Sequence, residues 1–178
     1  MSGTTVLESM RTLEELIGPV ALEAARNALP AQRGAELEGA MAMSWISMTT
    51  SGALMDAAAQ IAGRNVDELI DQVARRTAER LFKTIWRMFF RFTSDEQVIK
   101  RTQALYARSR NVGVLSSRLT GEGEAELSLV GWPDVSDRQL RMLVISTTLV
   151  VELAGRTDVK IRSIRTPEGA RFEVRWRG

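Results

Sequence analysis

Apolar residues recur at helical spacing through roughly the first 110 positions and alternate like strands over most of the rest. Leu7, Met10, Leu13, Leu16 and Ile17 share one helix face, and Thr5 three residues before Glu8 has the pattern of a capping box. Gly18-Pro19 breaks that helix, and a second short one is expected to about Leu29, before Pro30. Ala31–Thr50 lacks any strand alternation, and Gly34, Gly39 and its Ser/Thr cluster predict a loop with at most a helical turn. A helix over Thr50–Ala62 stops at Gly63. Asn65, with Glu68 at the third helical position, caps the longest periodic segment. Its stripe of Val66, Leu69, Ile70, Val73, Thr77, Leu81, Ile85, Met88 and Phe89 predicts a helix ending near Phe92. Thr93 with Glu96 opens another helix through Val98, Ile99, Leu105 and Tyr106 to about Arg110.

After Asn111 the period changes. Val112–Leu119 and Glu124–Trp132 read as strands joined at Thr120-Gly121-Glu122-Gly123, with Ala125, Leu127 and Leu129 on a buried face. Ser136 with Gln139 caps a helix from Asp137 to Ala154, and Gly155 stands where a terminating glycine belongs. The β-branched centre, Val144–Val151, leaves a strand as the alternative; helix is preferred because both ends are signalled. A last hairpin joins Val159–Thr166 to Ala170–Arg177 across Pro167-Glu168-Gly169. Phe172, Val174 and Trp176 should face the core, and Arg171, Glu173, Arg175 and Arg177 the solvent. The order predicts an α+β fold: N-terminal helices packed on a C-terminal β-β-α-β-β antiparallel four-stranded sheet. One domain is expected over residues 1–178, helical over residues 1–110 and β-β-α-β-β over residues 111–178. There is no internal repeat and no low-complexity tract.

Composition changes this picture mainly through two zeros. The 178 residues include no cysteine and no histidine. Disulfides, thiol nucleophiles, thiolate or imidazole metal sites, Ser-His-Asp triads and histidine-ligated haem are thereby excluded. No metal and no cofactor is expected. Of the 24 basic residues 21 are arginine, and the net charge of +2 is unevenly spread. Residues 1–74 carry −6, 75–110 carry +7, 111–155 carry −3 and 156–178 carry +4. Such asymmetry suggests self-complementary faces or one local basic surface, not a protein that coats nucleic acid. The longest uncharged run, Gly39–Met55, is interrupted by Ser and Thr and is too short to span a bilayer. Met1–Leu16 is acidic and amphipathic, unlike a secretory signal, so a cytoplasmic protein is expected.

Ser94–Val135 (SDEQVIKRTQALYARSRNVGVLSSRLTGEGEAELSLVGWPDV) resembles the middle of a paralogous family from Myxococcus xanthus and relatives. The shared features are an Asp-Glu helix start, a tyrosine before a glycine-containing strand, and Gly-aromatic-Pro after the second strand. Gly169–Arg177 (GARFEVRWR) is similar to the family's closing strand, and Trp45 falls where the family keeps an aromatic. That family is similar in turn to 4-vinyl-reductase-type small-molecule-binding domains, haem-nitric-oxide-associated domains and the small subunits of vesicle-tethering complexes. The resemblance implies regulation or scaffolding, with helices on an antiparallel sheet. Where several relatives keep cysteines around the last hairpin, this chain has Thr166, Pro167, Glu168, Gly169 and Ala170.

Two groups of residues are candidates for a functional role. Arg76, Arg80, Lys83, Arg87 and Arg91, spaced 4, 3, 4 and 4, form a basic face on the long helix. It suits an anionic partner surface, a phosphate-bearing ligand or anionic lipid; the ordinary alternative is a solvated face. Trp45, Trp86, Phe90, Tyr106 and Trp132, with Phe89, are candidates for an apolar ligand pocket or partner contact, against the ordinary alternative of a plain core. Met41, Met43, Met48 and Met55 near Trp45 suit an adaptable surface. Glu122, Glu124 and Glu126 cluster at a solvated turn, and Gly121-Glu122-Gly123 lacks the Lys-Ser/Thr of a phosphate loop, so no catalytic residue is assigned. The expectation is a non-enzymatic regulatory or interaction module, a homodimer that binds a small apolar ligand or a protein partner. A structural assembly subunit without a ligand is the alternative. An enzyme working without cysteine or histidine ranks below both.

Overall fold

The computed structural model describes residues 1–83 and 94–178, except for the side chains of Phe82 and Lys83. Contacts divide the chain into two compact units, Met1–Leu81 and Phe82–Gly178.

The first unit is built from helices α1 (Gly3–Ile17), α2 (Pro19–Asn27), α3 (Ala31–Glu38), α4 (Met48–Ile61) and α5, which begins at Val66 and runs to Lys83. Its core gathers Val6, Leu13, Leu22, Ala25, Leu54, Ala58, Leu69 and Val73, all buried. The start of α1 differs from the expected capping box. Ser2 holds the N-cap position, and Thr5 lies inside the first turn with its hydroxyl 2.9 Å from that of Ser2. The free N–H of Gly3 donates instead to Ser44 O at 2.7 Å, so a tertiary bond takes the place of a local cap. That approach requires glycine: a Cβ on residue 3 would stand 1.8 Å from Met41 O.

Helix α3 is a correction to the loop expected over Ala31–Thr50. It buries only Leu37, too little for a periodic signal. What holds it is Glu36, whose carboxylate accepts the N–H of Ser47 at 2.6 Å and the hydroxyl of Thr50. Ser47 also caps α4 by accepting from Thr49 N at 3.2 Å, which starts that helix two residues before the expected Thr50. Asn65 caps α5 as expected, its Oδ1 accepting from the N–H groups of Asp67 and Glu68 at 3.0 and 3.1 Å.

The second unit contains α6 (Asp95–Ser109), β1 (Val114–Gly121), β2 (Glu124–Val130), α7 (Asp137–Leu153), β3 (Thr157–Thr166) and β4 (Gly169–Arg177). The sheet is antiparallel throughout, in the order β1-β2-β4-β3, so the α+β expectation holds. Pairing sets Ala125 opposite Val174, Leu127 opposite Phe172 and Leu129 opposite Ala170, all buried on one face. Helix α6 packs against β1 and α7 against β3. The other face carries a charge row in which Arg118, Glu126, Glu173 and Arg162 are paired across four strands. The two glutamates would repel directly opposite each other, and arginines flank both: Arg118 lies 3.0 Å from Glu126 and Arg162 4.0 Å from Glu173.

Helix α6 is capped by Ser94, one residue after the expected Thr93: Ser94 Oγ accepts from Gln97 N, and Glu96 turns to Lys100 at 2.7 Å. The capping box of α7 is the expected one, Ser136 with Gln139, and Gly155 follows its end at φ 86°. The β-branched centre of α7 is helical, which removes the strand alternative. In the first hairpin Gly123 adopts φ 68°, and a Cβ there would lie 2.6 Å from Trp176 O. Among the described residues no helix is long and apolar enough to cross a membrane.

Candidate functional site

Along α6 the buried positions Val98, Thr102 and Tyr106 recur every fourth residue, and the next member of that row is Arg110. The periodicity that buries an apolar face therefore carries a guanidinium inward at the helix end, where Arg110 keeps 7% of its exposure. Its N–H still bonds Tyr106 O at 2.8 Å, and its backbone is extended, so α6 stops at this residue.

The surroundings of Arg110 are almost fully committed to one another. Tyr106 donates its hydroxyl proton to Val112 O at 2.5 Å. Ser109 Oγ donates to Tyr106 O at 3.1 Å and receives a long contact, 3.4 Å, from Arg110 Nη1. The guanidinium carbon stands 5.9 Å from the centre of the Tyr106 ring, a cation–π distance. Arg110 Nε has no hydrogen-bond partner among the described residues. Burial lowers the pKa of Arg110, opposed by the nearby Tyr106, yet guanidinium stays protonated at neutral pH. Burial also raises the Tyr106 phenol above its ordinary value, partly offset by Arg110.

A buried cation without a carboxylate partner is costly by several kcal/mol. Other arginines of this unit illustrate the usual solution. Arg156 is 2.6 Å from Asp95, and Arg165 is 2.6 Å from Asp137 while also bonding Val135 O at 2.7 Å. Among the described residues no carboxylate reaches Arg110. The arrangement therefore offers one desolvated positive charge with an unused N–H.

The aromatic candidates are divided between the units. Tyr106 and Trp132 belong to the second unit and are buried, Trp132 donating its backbone N–H to Glu168 O at 3.0 Å. Trp45 belongs to the first unit, in the loop before α4, where it forms an isolated bridge with Ser2. Its exposure of 47%, with Met41 at 68% and Met43 at 93%, makes that loop the most apolar exposed stretch described. Met55 is buried and Met48 half-buried. Trp86, Phe90, Arg87 and Arg91 lie outside the described residues, as does the side chain of Lys83. Of the remaining basic face, Arg76 is exposed, whereas Arg80 turns to α1, where it pairs with Glu15, lies 4.0 Å from Glu8 and donates to Thr12 Oγ1 at 3.4 Å. Arg110 is not among the candidates that the sequence suggests. Its signal is the fourth-residue repeat from Val98 through Thr102 and Tyr106, which reaches Arg110 at the expected helix end.

No family model and no curated protein matches the chain. Solved structures do. An H-NOX protein from K. algicida, in an iron(II) unliganded state, superposes with a TM-score of 0.70 at 8% identity, over 100% of this chain and 97% of that one. An oxygen-binding H-NOX domain related to soluble guanylate cyclases gives 0.68 at 14% identity, over 99% and 94%. A structure described as modulating haem redox potential through protein-induced porphyrin distortion gives 0.68 at 13%, over the whole of both chains. At these identities the likeness is one of fold, and this chain shares the fold of H-NOX domains.

Haem is the group which that fold suggests, and the donor set here does not fit it. Side chains that hold haem iron are histidine, cysteine thiolate, tyrosinate, or methionine beside histidine. The chain has no histidine and no cysteine. Its one tyrosine donates its proton to Val112 O in a setting that disfavours the phenolate. Among the described residues no cluster of three metal-binding side chains occurs either.

Proposed function

We propose that this chain is a non-enzymatic regulatory module that binds a small, largely apolar ligand through an anionic group at Arg110. The carrying observation is the buried guanidinium with an unused Nε–H, an arrangement stabilised by a matching anion and costly without one. The H-NOX fold supports a small-molecule sensing role, since solved proteins of that fold include an oxygen-binding domain. In this reading the chain works as one domain and a homodimer in the cytoplasm, a member of the myxobacterial paralogous family, and ligand occupancy shifts its contacts with itself or a protein partner by differential affinity. The exposed loop of Met41, Met43 and Trp45 favours a protein partner as a second role.

Native mass spectrometry of the protein purified from cells, compared with the same sample denatured, tests the reading. The expected result is a dimer carrying extra non-covalent mass on wild type and none on Arg110→Gln. A dimer without added mass, and with no difference between wild type and variant, supports the assembly subunit instead.

A further inference from the structure

We propose that β1 is a docking edge for a second copy of this chain, the two β1 strands pairing antiparallel about a two-fold axis at Ser117. The inference rests on the homodimer reading above and places its contact in the second unit.

The sheet has two edge strands, β1 and β3, and they are built differently. β3 carries Lys160, Arg162 and Arg165 and begins with an irregularity between Thr157 and Lys160, where Asp158 takes φ 51°. Edge cations and bulges are devices that keep a strand from pairing further. Along β1 there is one charge, Arg118, no proline, and an irregularity only at the turn end, between Leu119 and Gly121. Most of its residues are exposed.

The backbone of β1 is oriented for a further strand. Trp176 N donates to Gly123 O at 2.9 Å, so by alternation the odd-numbered residues of β2 bond β4 and the even-numbered ones bond β1. Opposite those even residues stand Val114, Ser116 and Arg118. The N–H and C=O groups of Leu115, Ser117 and Leu119 therefore point away from the sheet, where no described strand meets them.

Register selects the occupant. With Ser117 opposite its own copy, Leu115 faces Leu119 twice and Ser116 faces Arg118 twice. Apolar meets apolar, and no like charges stand opposite each other; centring the pair on Arg118 instead would oppose two arginines. Leu119 lies on the core side of the sheet, opposite the buried Ala125, and is still 39% exposed. In the pair the partner's Leu115 covers it. Such a two-fold contact is closed, and it joins two four-stranded sheets into one.

The chain has no cysteine, so introduced thiols report on this contact alone. Residues 116 and 118 of the two copies would stand with Cα atoms about 4.5 Å apart, within reach of a disulfide. An equimolar mixture of the Ser116→Cys and Arg118→Cys proteins should form covalent dimers under mild oxidation at least about 10-fold faster than either protein alone. Sedimentation velocity is expected to show a wild-type dimer. Ser117→Pro removes an outward N–H and Leu119→Lys puts a charge on the edge; each should weaken the dimer about 10- to 100-fold. A mixture that crosslinks no faster than the single variants overturns the inference, as does faster crosslinking of Ser116→Cys alone, which marks another register. If wild type is then still a dimer and both edge variants leave it so, the homodimer reading stands with its contact elsewhere. A wild type that stays monomeric up to about 100 μM overturns the inference and the homodimer reading together. Should Ser117→Pro fail to fold by circular dichroism, Leu119→Lys and the thiol mixture, whose two substitutions are at exposed positions, carry the decision.

Discussion

Arg80 lies late in α5 of the first unit and Arg110 directly follows α6 in the second, and they end in opposite states. Arg80 reaches across to α1 and finds Glu15, Glu8 and Thr12, half-buried and fully partnered. Arg110 follows the buried row of α6 inward and meets a ring face, a serine and, among the described residues, no carboxylate. The first pairing balances charge near the surface, which contributes little. The second leaves a free donor inside the protein, which natural structures rarely tolerate without a purpose. An unpaired group is informative where a paired one is not.

The largest effect that bears on this contrast comes from the cores of the two units. Leu13→Ala in the first unit and Leu129→Ala in the second each remove a fully buried side chain and should cost about 2–5 kcal/mol in denaturant unfolding. Amide exchange will show whether protection is lost in the mutated unit alone; loss in both would mean that they unfold together, and their stabilities could not be treated apart. Next in size is Arg110→Met. Replacing the buried cation with an apolar chain of similar length should stabilise the ligand-free protein by about 1–4 kcal/mol. The matching Arg80→Met should leave the melting midpoint nearly where it was. A destabilised Arg110→Met protein would make Arg110 a structural residue.

Helix caps differ between the units in the same way. Ser136→Ala removes the side-chain half of a capping box in the second unit, leaving its backbone N–H on Gln139, and should cost about 0.5–2 kcal/mol. Ser2 makes no side-chain cap bond to the backbone of α1, so Ser2→Ala should cost a few tenths of a kcal/mol at most. The smallest effect is acid sensitivity in the first unit. The Thr50 hydroxyl and the Ser47 N–H hold the Glu36 carboxyl below its usual range. A depressed folded-state pKa contributes stability above the unfolded value of about 4.3, lost as pH falls through the lower folded one. Glu36→Gln should flatten that stretch of the acid-unfolding curve, measured by circular dichroism between pH 5 and about 2.

Much of the fold is legible along the chain because its signals are local. Ser136 with Gln139, Gly155, and the alternation of Phe172, Val174 and Trp176 report on neighbours a few residues away, and each stands in the structure as expected. Helix α3 is not legible, because its support is Glu36 bonding residues 11 and 14 positions ahead. The Ser94 cap differs by one position from the expected one because Thr93-Glu96 and Ser94-Gln97 spell the same motif in adjacent registers. Of the site, Tyr106 stands out in the sequence for its aromatic ring, while Arg110 reads as an ordinary last residue of a helix.

By itself the sequence determined the class of fold, through periodicity and punctuation, and the chemistry that is closed to this protein, through the absence of histidine and cysteine. Those properties depend on residue identity and on spacing within a turn or a hairpin. Tertiary structure alone decided which of the described arginines is buried away from any described carboxylate. A guanidinium has the same intrinsic affinity for anions wherever it stands in the chain. What separates Arg110 from Arg80 is the company each keeps after folding: carboxylates brought in from α1 for one, and burial without a carboxylate among the described residues for the other.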